Sequence, residues 1–389
     1  MSLPPLVDLP DGAELDEAER TRYARHLSLA EFGPEAQLRL RTARVLVVGA
    51  GGLGAPVLAY LAAAGIGTIG IVDPDRVEVS NLQRQVLFGD GDIGRAKVEA
   101  AAAAIQRTNP SVTVRAHPVL VDATNALELI GDYHLVIDGT DNFAARYLLN
   151  DACTLADRPY VWGSILGMQG QLSVAWASRG PQLRDLYPEP PAPGAVPSCA
   201  DAGVLGALCG TVGSLLATEA VKLICGIGEP LLGRVVIYDA LEASVRTVRV
   251  QRDPAGAPIR SLAAHLTAQD GPVPAAAQEV SPDELLRLLG GTDRPTLIDV
   301  REPQEYDAGH IPGARLLPLA QLLADPDAAT AADPGGDRAQ PNTVQVIVYC
   351  RSGQRSATAA RALAAVGGPP VRQLRGGMLA WRGAVDTGS

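Results

Sequence analysis

The stretch VLVVGAGGLGAPVLAYLAAAG, residues 45–65, decides how the first half of this chain folds. Val45, Leu46, Val47 and Val48 run without a polar break into Gly49, and an alanine- and leucine-rich segment follows Gly54. A short continuous apolar run fits a strand buried on both faces, and this one feeds a glycine turn and then a helix. Gly49, Gly51 and Gly54 keep the spacing G-x-G-x-x-G, with Gly52 inside the same loop. Glycines there permit a tight turn and close backbone approach, while the helix N-terminus offers N–H groups to phosphate. Asp73 ends the next apolar run, where a carboxylate reaches a ribose hydroxyl. Taken alone, the loop specifies a nucleotide or dinucleotide, with NAD as the default.

Outward from the loop, apolar runs and helical stretches alternate, the pattern of a parallel sheet covered by helices. Strands are expected at 44–48, 68–72, 112–117, 134–137 and 160–163, with helices at 53–64, 95–108 and 142–156 between them. Two helices, 16–29 and 35–40, precede the first strand. A strand at 171–175 leads into a proline-rich loop, 181–197, and then a helix at 204–225 and strands at 234–238 and 244–250. Composition turns to Ala, Pro, Gly and Gln from about 254, which reads as a linker. A second βα series follows: helix 283–289, strands 296–300 and 344–349, helix 354–365, with a low-complexity insertion at 324–341. The expected fold is therefore α/β throughout. A Rossmann-like domain spans 1–253, a linker 254–280, and a smaller α/β domain 281–389.

The 389 residues exceed one ordinary core, which agrees with two domains. A formal charge of −10, from 33 basic and 43 acidic residues, opposes binding to nucleic acid or to an anionic membrane. Only 4% of residues are aromatic, too few for base-stacking platforms. The N-terminus lacks the basic start and apolar run of a signal peptide, and the apolar segment 204–225 is interrupted by Thr, Ser, Glu and Lys. Five cysteines without a C-x-x-C pair argue against a disulfide framework and for a reducing cytoplasm.

Residues beyond the loop turn the reading away from NAD. DPDRVEVSNLQRQ carries Asp75, Asn81, Arg84 and Gln85, and Lys97 follows in GRAKVEAA. Two cations converging on a helix N-terminus suit a triphosphate, where charge builds on the departing pyrophosphate. Hydride transfer has no need of them. Asp141 and Asn142, in DGTDN at the end of another parallel strand, lie where α/β ligands bind, and a carboxylate there holds Mg²⁺ against phosphate oxygens.

RYARH, GAGGLGAP, DPDRVEVSNLQRQ, GRAKVEAA and GTDN, in that order across about residues 15–252, resemble the ubiquitin-activating-type adenylyltransferases (MoeB/ThiF). That family activates the C-terminal glycine of a ubiquitin-like sulfur carrier. The resemblance implies that Gly52 and Asp73 contact the adenosine portion of ATP. It likewise implies that Asn81, Arg84, Gln85 and Lys97 contact the phosphates, and Asp141 the magnesium. Arg25 of RYARH would reach the ATP site of a partner subunit, implying a homodimer. The family commonly holds a structural zinc with two C-x-x-C pairs. Here those places read QLRD, with Gln182 and Asp185, and GAPI, with Gly256 and Ile259, so no zinc is expected. Cys199 matches the family's cysteine that attacks the acyl group. It lies at the mouth of a helix, where a thiol is activated, and the reading of a packed small residue stays open beside that one. Cys153, Cys209 and Cys225 fall inside helical segments and read as core.

The C-terminal part holds LIDVREPQEYDAGHIPGA, VIVYCRSGQRSA and GGMLAW, which resemble a rhodanese sulfurtransferase domain over about residues 281–385. Cys350 ends a strand, and the loop Cys350, Arg351, Ser352, Gly353, Gln354, Arg355 wraps toward a helix. Successive backbone N–H groups in such a turn form an anion nest suited to a thiolate or persulfide. Arg351 and Arg355 add positive charge around it. The C-x4-R spacing is one residue shorter than the C-x5-R cradle of cysteine phosphatases, which favours a single sulfur over a tetrahedral phosphate. Asp299 and Arg301 are expected to order the loop, and His310 to be structural.

Together the two ends imply an adenylyltransferase and sulfurtransferase. ATP·Mg²⁺ adenylates a carrier ending in Gly-Gly. A Cys350 persulfide, loaded by a donor such as a cysteine desulfurase, then supplies sulfur to give the carrier thiocarboxylate, with Cys199 or an external reductant completing release. An NAD-dependent oxidoreductase fused to a rhodanese domain would leave Arg84, Lys97 and Asp141 unexplained. A non-catalytic carrier-binding scaffold would carry no persulfide on Cys350.

Overall fold

The computed structural model describes residues 3–191, 203–265, 278–291, 294–329, 345–351, 353–366 and 369–387. The chain divides into two compact units, with the boundary falling between His265 and Gln278.

In the first unit, β1 (Arg44–Val48), β2 (Thr68–Val72), β3 (Thr113–His117), β4 (Leu135–Asp138) and β5 (Tyr160–Leu166) are parallel. β6 (Gln169–Ala175), β7 (Arg234–Asp239) and β8 (Ser244–Arg249) extend the sheet antiparallel, in the order 3-2-1-4-5-6-7-8. β1 lies between β2 and β4, with Val45 in register with both Ile69 and Leu135. All of β4, and all but the first residue of β1 and β2, are buried, which is why these strands read as unbroken apolar runs. The strand order reverses direction across the β1–β4 pair, opening a crevice at their C-terminal ends where ligands of such sheets bind.

Helix Gly54–Ala64 follows the glycine loop and stops at Gly65, whose φ of 82° gives the left-handed end that glycine favours. Helix Gly206–Cys225 has the length and mean hydropathy to cross a membrane, yet packs against helices Gly54–Ala64 and Gly33–Thr42 and against β5 and β6. It is a core helix of this unit. The helix expected over 16–29 is broken at Tyr23 into Glu17–Arg22 and Ala24–Leu27. Tyr23 turns inward, and its hydroxyl accepts a hydrogen bond from Asn109 Nδ2 at 2.8 Å, so the chain bends to bury the ring. The loop from 181 contains a 3₁₀ turn, Leu183–Asp185, and residues 192–202 lie outside the description.

The segment read as the start of the linker packs back onto the first unit. Leu262 joins the core beneath β4 and β5, and His265 Nε2 lies 2.7 Å from Asp151 Oδ2. At its other end, β9 (Gln278–Val280) pairs in parallel with β13 (Val371–Leu374), so those three residues belong to the second sheet.

That sheet has five parallel strands in the order 11-10-12-13-9, with β10 Thr296–Asp299, β11 Arg315–Leu316 and β12 Val346–Tyr349. Two apolar clusters cover it, one centred on Ile298, Val348 and Leu363, the other on Val280, Ile347 and Trp381. Part of the segment expected to be a low-complexity insertion is structured: a 3₁₀ turn Pro326–Ala329 buries Ala329. Residues 330–344 lie outside the description.

Candidate functional site

The glycine loop closes against the β4 end. Gly49 has φ of 91°, and a Cβ there would lie 2.8 Å from the Gly139 carbonyl carbon. A Cβ on Gly54 would meet the Gly49 carbonyl oxygen at 1.8 Å. Both positions require glycine. The Asp73 carboxylate fastens the loop from the β2 side, accepting from Ala50 N at 2.8 Å and Asp75 N at 2.8 Å. Burial pushes this carboxyl above its ordinary value of 3.8, against the opposing pull of Lys97 and the two amides. Each carboxylate oxygen keeps a second lone pair for a ligand hydroxyl.

Around the loop stand the other predicted residues. Lys97 is buried at the start of helix Lys97–Thr108 and its Nζ donates to Asp75 Oδ2 at 2.9 Å, Asp75 itself being exposed. Asn81 is buried and its Oδ1 accepts from Glu78 N at 3.2 Å. Arg84 Nη1 donates to the Ser80 carbonyl at 3.0 Å, and its Cδ would lie 3.4 Å from a Cβ on Gly52. Gln85 is 3% exposed and borders Gly51, and its Oε1 is buried with no hydrogen-bond partner among the described residues. Beside the glycine loop, a buried acceptor without a protein partner suits a ligand donor or a water. Arg25 is exposed on the short helix Ala24–Leu27.

Asp141 is exposed at the end of the DGTDN turn and borders a cavity of about 330 Å³. The cavity is walled by Tyr147, Trp162, Leu166, Leu183 and Tyr187. Asn142 caps helix Phe143–Leu155, its Oδ1 accepting from Ala145 N at 2.9 Å, so this oxygen is committed to the helix end. Beneath the turn lies a buried group that sequence reasoning missed. Asp138 accepts from Thr140 N at 2.8 Å and from the Tyr160 hydroxyl at 2.7 Å. Arg146 Nε lies 3.5 Å from Asp138 Oδ2, in charge contact without a hydrogen bond, while its Nη2 donates to Gly163 O at 3.1 Å. Arg146 falls in a helical pattern like any other helix residue, and only the fold turns it inward.

In the second unit, Cys350 is 1% exposed, at the C-terminal end of β12. Gly353 N donates to its Sγ at 3.1 Å, and Ser356 Oγ lies 3.6 Å from the same sulfur. Gly353 has φ of 106° and precedes helix Gln354–Ala365, which aims its N-terminus at the loop. Gly377 closes the other side, since a Cβ there would lie 2.2 Å from the Cys350 carbonyl oxygen. Arg351 is exposed. Arg355 is paired: its two Nη atoms make bidentate contacts of 2.7 and 2.9 Å to Glu305, which offsets the charge it brings to the edge of the loop. Ser356, next to last in VIVYCRSGQRSA, is not singled out by local spacing, because its contact with sulfur depends on the first helical turn. Asp299 and Arg301 form a buried bidentate pair, and Arg301 Nη2 also holds the Gly309 carbonyl at 2.7 Å. His310 stacks on Tyr306 at 3.7 Å, a structural position.

Cys199 and Ser352 lie outside the described residues. Cys153, Cys209 and Cys225 are buried core residues, and burial pushes the Cys225 thiol up to about 12. The two places without C-x-x-C pairs lie side by side, a Cβ on Gly256 standing 3.9 Å from Asp185 Oδ1. Their polar groups are taken up by neighbours: Asp185 Oδ1 accepts from Asp253 N at 2.9 Å, and Gln182 Oε1 accepts from Asn150 Nδ2 at 2.6 Å. Among the described residues no group of three or more His, Cys, Asp or Glu could hold a metal ion.

Known proteins share both halves. The model of the ThiF family matches residues 23–257, and that of the rhodanese-like domain matches residues 281–384. The probable adenylyltransferase/sulfurtransferase MoeZ of Mycobacterium tuberculosis is 47% identical over 389 residues, covering 98% of this chain and 96% of that protein. The sulfur carrier protein adenylyltransferase of Thermus thermophilus is 52% identical over 241 residues, covering 61% of this chain and 89% of that protein. The adenylyltransferase and sulfurtransferase MOCS3 of Drosophila ananassae is 38% identical, covering 96% of this chain and 85% of that protein. Among solved structures, E. coli MccB with ATP superposes with a TM-score of 0.54 at 23% identity, over 64% of this chain and 76% of that one. At that identity the likeness shows the fold alone.

Proposed function

The chain belongs to the ThiF family, and from that membership we propose that it is a sulfur-carrier adenylyltransferase and sulfurtransferase in one polypeptide. The observation that carries the first half is that Asp73, Arg84 and Gln85 border the glycine loop, that Lys97 pairs with Asp75 beside it, and that Gly49 packs on Gly139 of the turn that carries Asp141. NAD chemistry gives no use for Arg84 and Lys97 there.

In this reading Gly52 and Asp73 hold the adenosine side of ATP, and Asn81, Arg84, Gln85 and Lys97, with the amides at the helix N-terminus, hold its phosphates. Asp141 would hold magnesium: one exposed carboxylate at the cavity margin fits a cation that keeps most of its waters. Bound there, magnesium would neutralise charge on the phosphate oxygens. The carrier's terminal glycine carboxylate enters along the cavity beside Asp141 and attacks the α-phosphorus. The new bond is C–O–P, and pyrophosphate leaves as Arg84 and Lys97 balance its charge.

The second half runs at Cys350. A persulfide donor, such as a cysteine desulfurase, places a sulfur on its Sγ, and the Gly353 amide together with the helix end steadies the resulting anion. The terminal sulfur attacks the acyl carbon of the adenylate, AMP leaves, and an acyl disulfide links Cys350 to the carrier. A thiol, Cys199 or an external one, then attacks the Cys350 sulfur. The carrier thiocarboxylate leaves with the S–S electron pair, and the attacking thiol remains in a mixed disulfide with Cys350, which a further thiol reduces. The product would supply sulfur to molybdopterin, thiamine, cysteine or tRNA thiolation. Assembly as a homodimer through Arg25, and a cytoplasmic setting, belong to the same proposal.

Carrier-dependent ATP–pyrophosphate exchange tests the adenylation half. Exchange should be present in the parent chain and lost in Asp141→Ala, and its absence from the parent would sink the reading. Intact-mass detection of an added sulfur on the parent but not on Cys350→Ala tests the other half. Undiminished thiocarboxylate formation by Cys350→Ala would remove Cys350 from the pathway.

A further inference from the structure

The cavity beside Asp141 has one wall that belongs to no strand or helix. Tyr187 and Glu189, on the loop that follows the 3₁₀ turn Leu183–Asp185, face Trp162 and Leu166 across it. Irregular backbone of this kind stays in place only where its polar groups are tied down. Here the ties are specific. The Tyr147 hydroxyl lies 3.0 Å from the Tyr187 carbonyl oxygen and 2.7 Å from that of Glu189, sharing its proton between them. Arg184 Nη1 donates to the Pro188 carbonyl at 3.0 Å, and its guanidinium sits 4.9 Å over the Tyr147 ring.

Arg184 is itself held from below. Its Nε and Nη2 donate to Asp151 Oδ1 and Oδ2 at 2.8 and 2.7 Å, a bidentate pair on a carboxylate that is 4% exposed. Asn150, the neighbour of Asp151 on helix Phe143–Leu155, donates to Gln182 Oε1 and accepts from Leu183 N at 2.9 Å. His265 reaches Asp151 Oδ2 from the segment after β8. Three separate stretches of chain therefore meet at one buried carboxylate, and the network continues from it to the three consecutive carbonyls 187–189. A bidentate arginine–carboxylate pair fixes direction as well as distance, which a lone lysine contact would not.

We infer that Asp151 and Arg184 are positioning residues for the carrier: through Tyr147 and the Pro188 carbonyl they set the cavity wall against which the carrier's C-terminal peptide lies. Neither lines the cavity, and both act through residues that do or that adjoin it. The inference rests on the proposed adenylation of a carrier entering beside Asp141. It adds that carrier affinity, and not ATP affinity, depends on a hydrogen-bonded clasp some residues away from both.

The test is steady-state ATP–pyrophosphate exchange by the full chain, with a recombinant ubiquitin-like carrier ending in Gly-Gly that supports exchange by the parent. Arg184→Lys, on a side chain 25% exposed, keeps the charge and loses the fork. Asp151→Asn keeps the shape and loses the charge. Both should raise the KM for carrier roughly ten-fold, the equivalent of one charge-assisted hydrogen bond, and leave the KM for ATP within two-fold or so. Because a buried substitution at Asp151 can cost folding, Arg184→Lys and the milder Tyr147→Phe carry the decision. An unchanged carrier KM in both, or carrier and ATP constants rising together, overturns the inference while leaving adenylation intact. A parent chain without carrier-dependent exchange overturns the adenylation reading and this inference with it.

Discussion

Gly52 rests on a thiol. A Cβ added there would lie 2.9 Å from Cys209 Sγ, and the nearest Arg84 atom would be 3.4 Å away, so Gly52→Ala must push the loop, the cysteine or the arginine. Overpacking of that kind costs about 1–3 kcal/mol, and at this position it displaces a group assigned to phosphate binding. Gly52→Ala should therefore raise the KM for ATP in pyrophosphate exchange. Cys209→Gly in the same chain should recover part of the loss by vacating the space beneath. A double variant no better than Gly52→Ala alone would mean that the harm arises on the ligand side of the loop. Two histidines make a separate prediction. His117, 3.0 Å from the Tyr133 hydroxyl, and His134, whose Nδ1 accepts from Arg44 N at 3.0 Å, are both pushed below their ordinary value of 6.5, first by burial and then by nearby arginines. A lowered folded pKa means that the unfolded chain takes up protons first. Their contribution to stability is full above about pH 6.5 and is lost as pH falls toward the lowered folded values. Thermal unfolding of the first unit should fall between pH 7 and pH 5, and a Tm unchanged over that interval would contradict it.

At the scale of elements, β9 shows what a strand of three residues does. Val280 is fully buried in the cluster with Leu285, Ile347 and Trp381, while Gln278 and Glu279 pair with Arg372 and Gln373. Val280→Ala removes two carbons from that cluster and should lower the stability of the second unit by about 2 kcal/mol, read as an earlier unfolding transition with the first unit unmoved. Loss of both transitions together would mean that the units unfold as one. The same strand marks where sequence reading stops. β1, β2 and β4 were legible because both faces are buried, leaving three or four apolar residues in a row. β9 follows a run of alanines and prolines and brings Val280 to the core, so its pairing is fixed by β13, some ninety residues on, and by nothing local. The six-residue helix Ala126–Gly131 is similarly too short for a period to show. Sites divide the same way. The glycine loop, Asp73, Lys97 and Cys350 announce themselves by local spacing. Arg146, Asp151 and the pairing of Arg355 with Glu305 fifty residues earlier do not, because each gets its meaning from a partner that only the fold supplies.

For the whole molecule, the question is why adenylation and sulfur transfer share one chain. Each unit has its own sheet and its own apolar clusters, and no strand pairing crosses between the two sheets among the described residues. Nothing in those cores requires the other. What the shared chain supplies is proximity: in the proposed reaction the Cys350 persulfide must meet an acyl adenylate before water does. A covalent link holds two modules at an effective concentration that reaches the mM range where it can span the sites. Separate chains comprising residues 1–265 and 278–389, mixed at about 10 µM each, should then form thiocarboxylate on the order of 100-fold more slowly than the intact chain at the same concentration. The cut keeps His265 on Asp151 and Val280 in its sheet, so neither half loses a described contact to the break. Pyrophosphate exchange by the first half and thiosulfate:cyanide turnover by the second should persist, which separates lost proximity from lost folding. If the split halves match the intact chain, the two units must recognise each other, or the loaded carrier, strongly enough that the covalent link adds nothing to the transfer step.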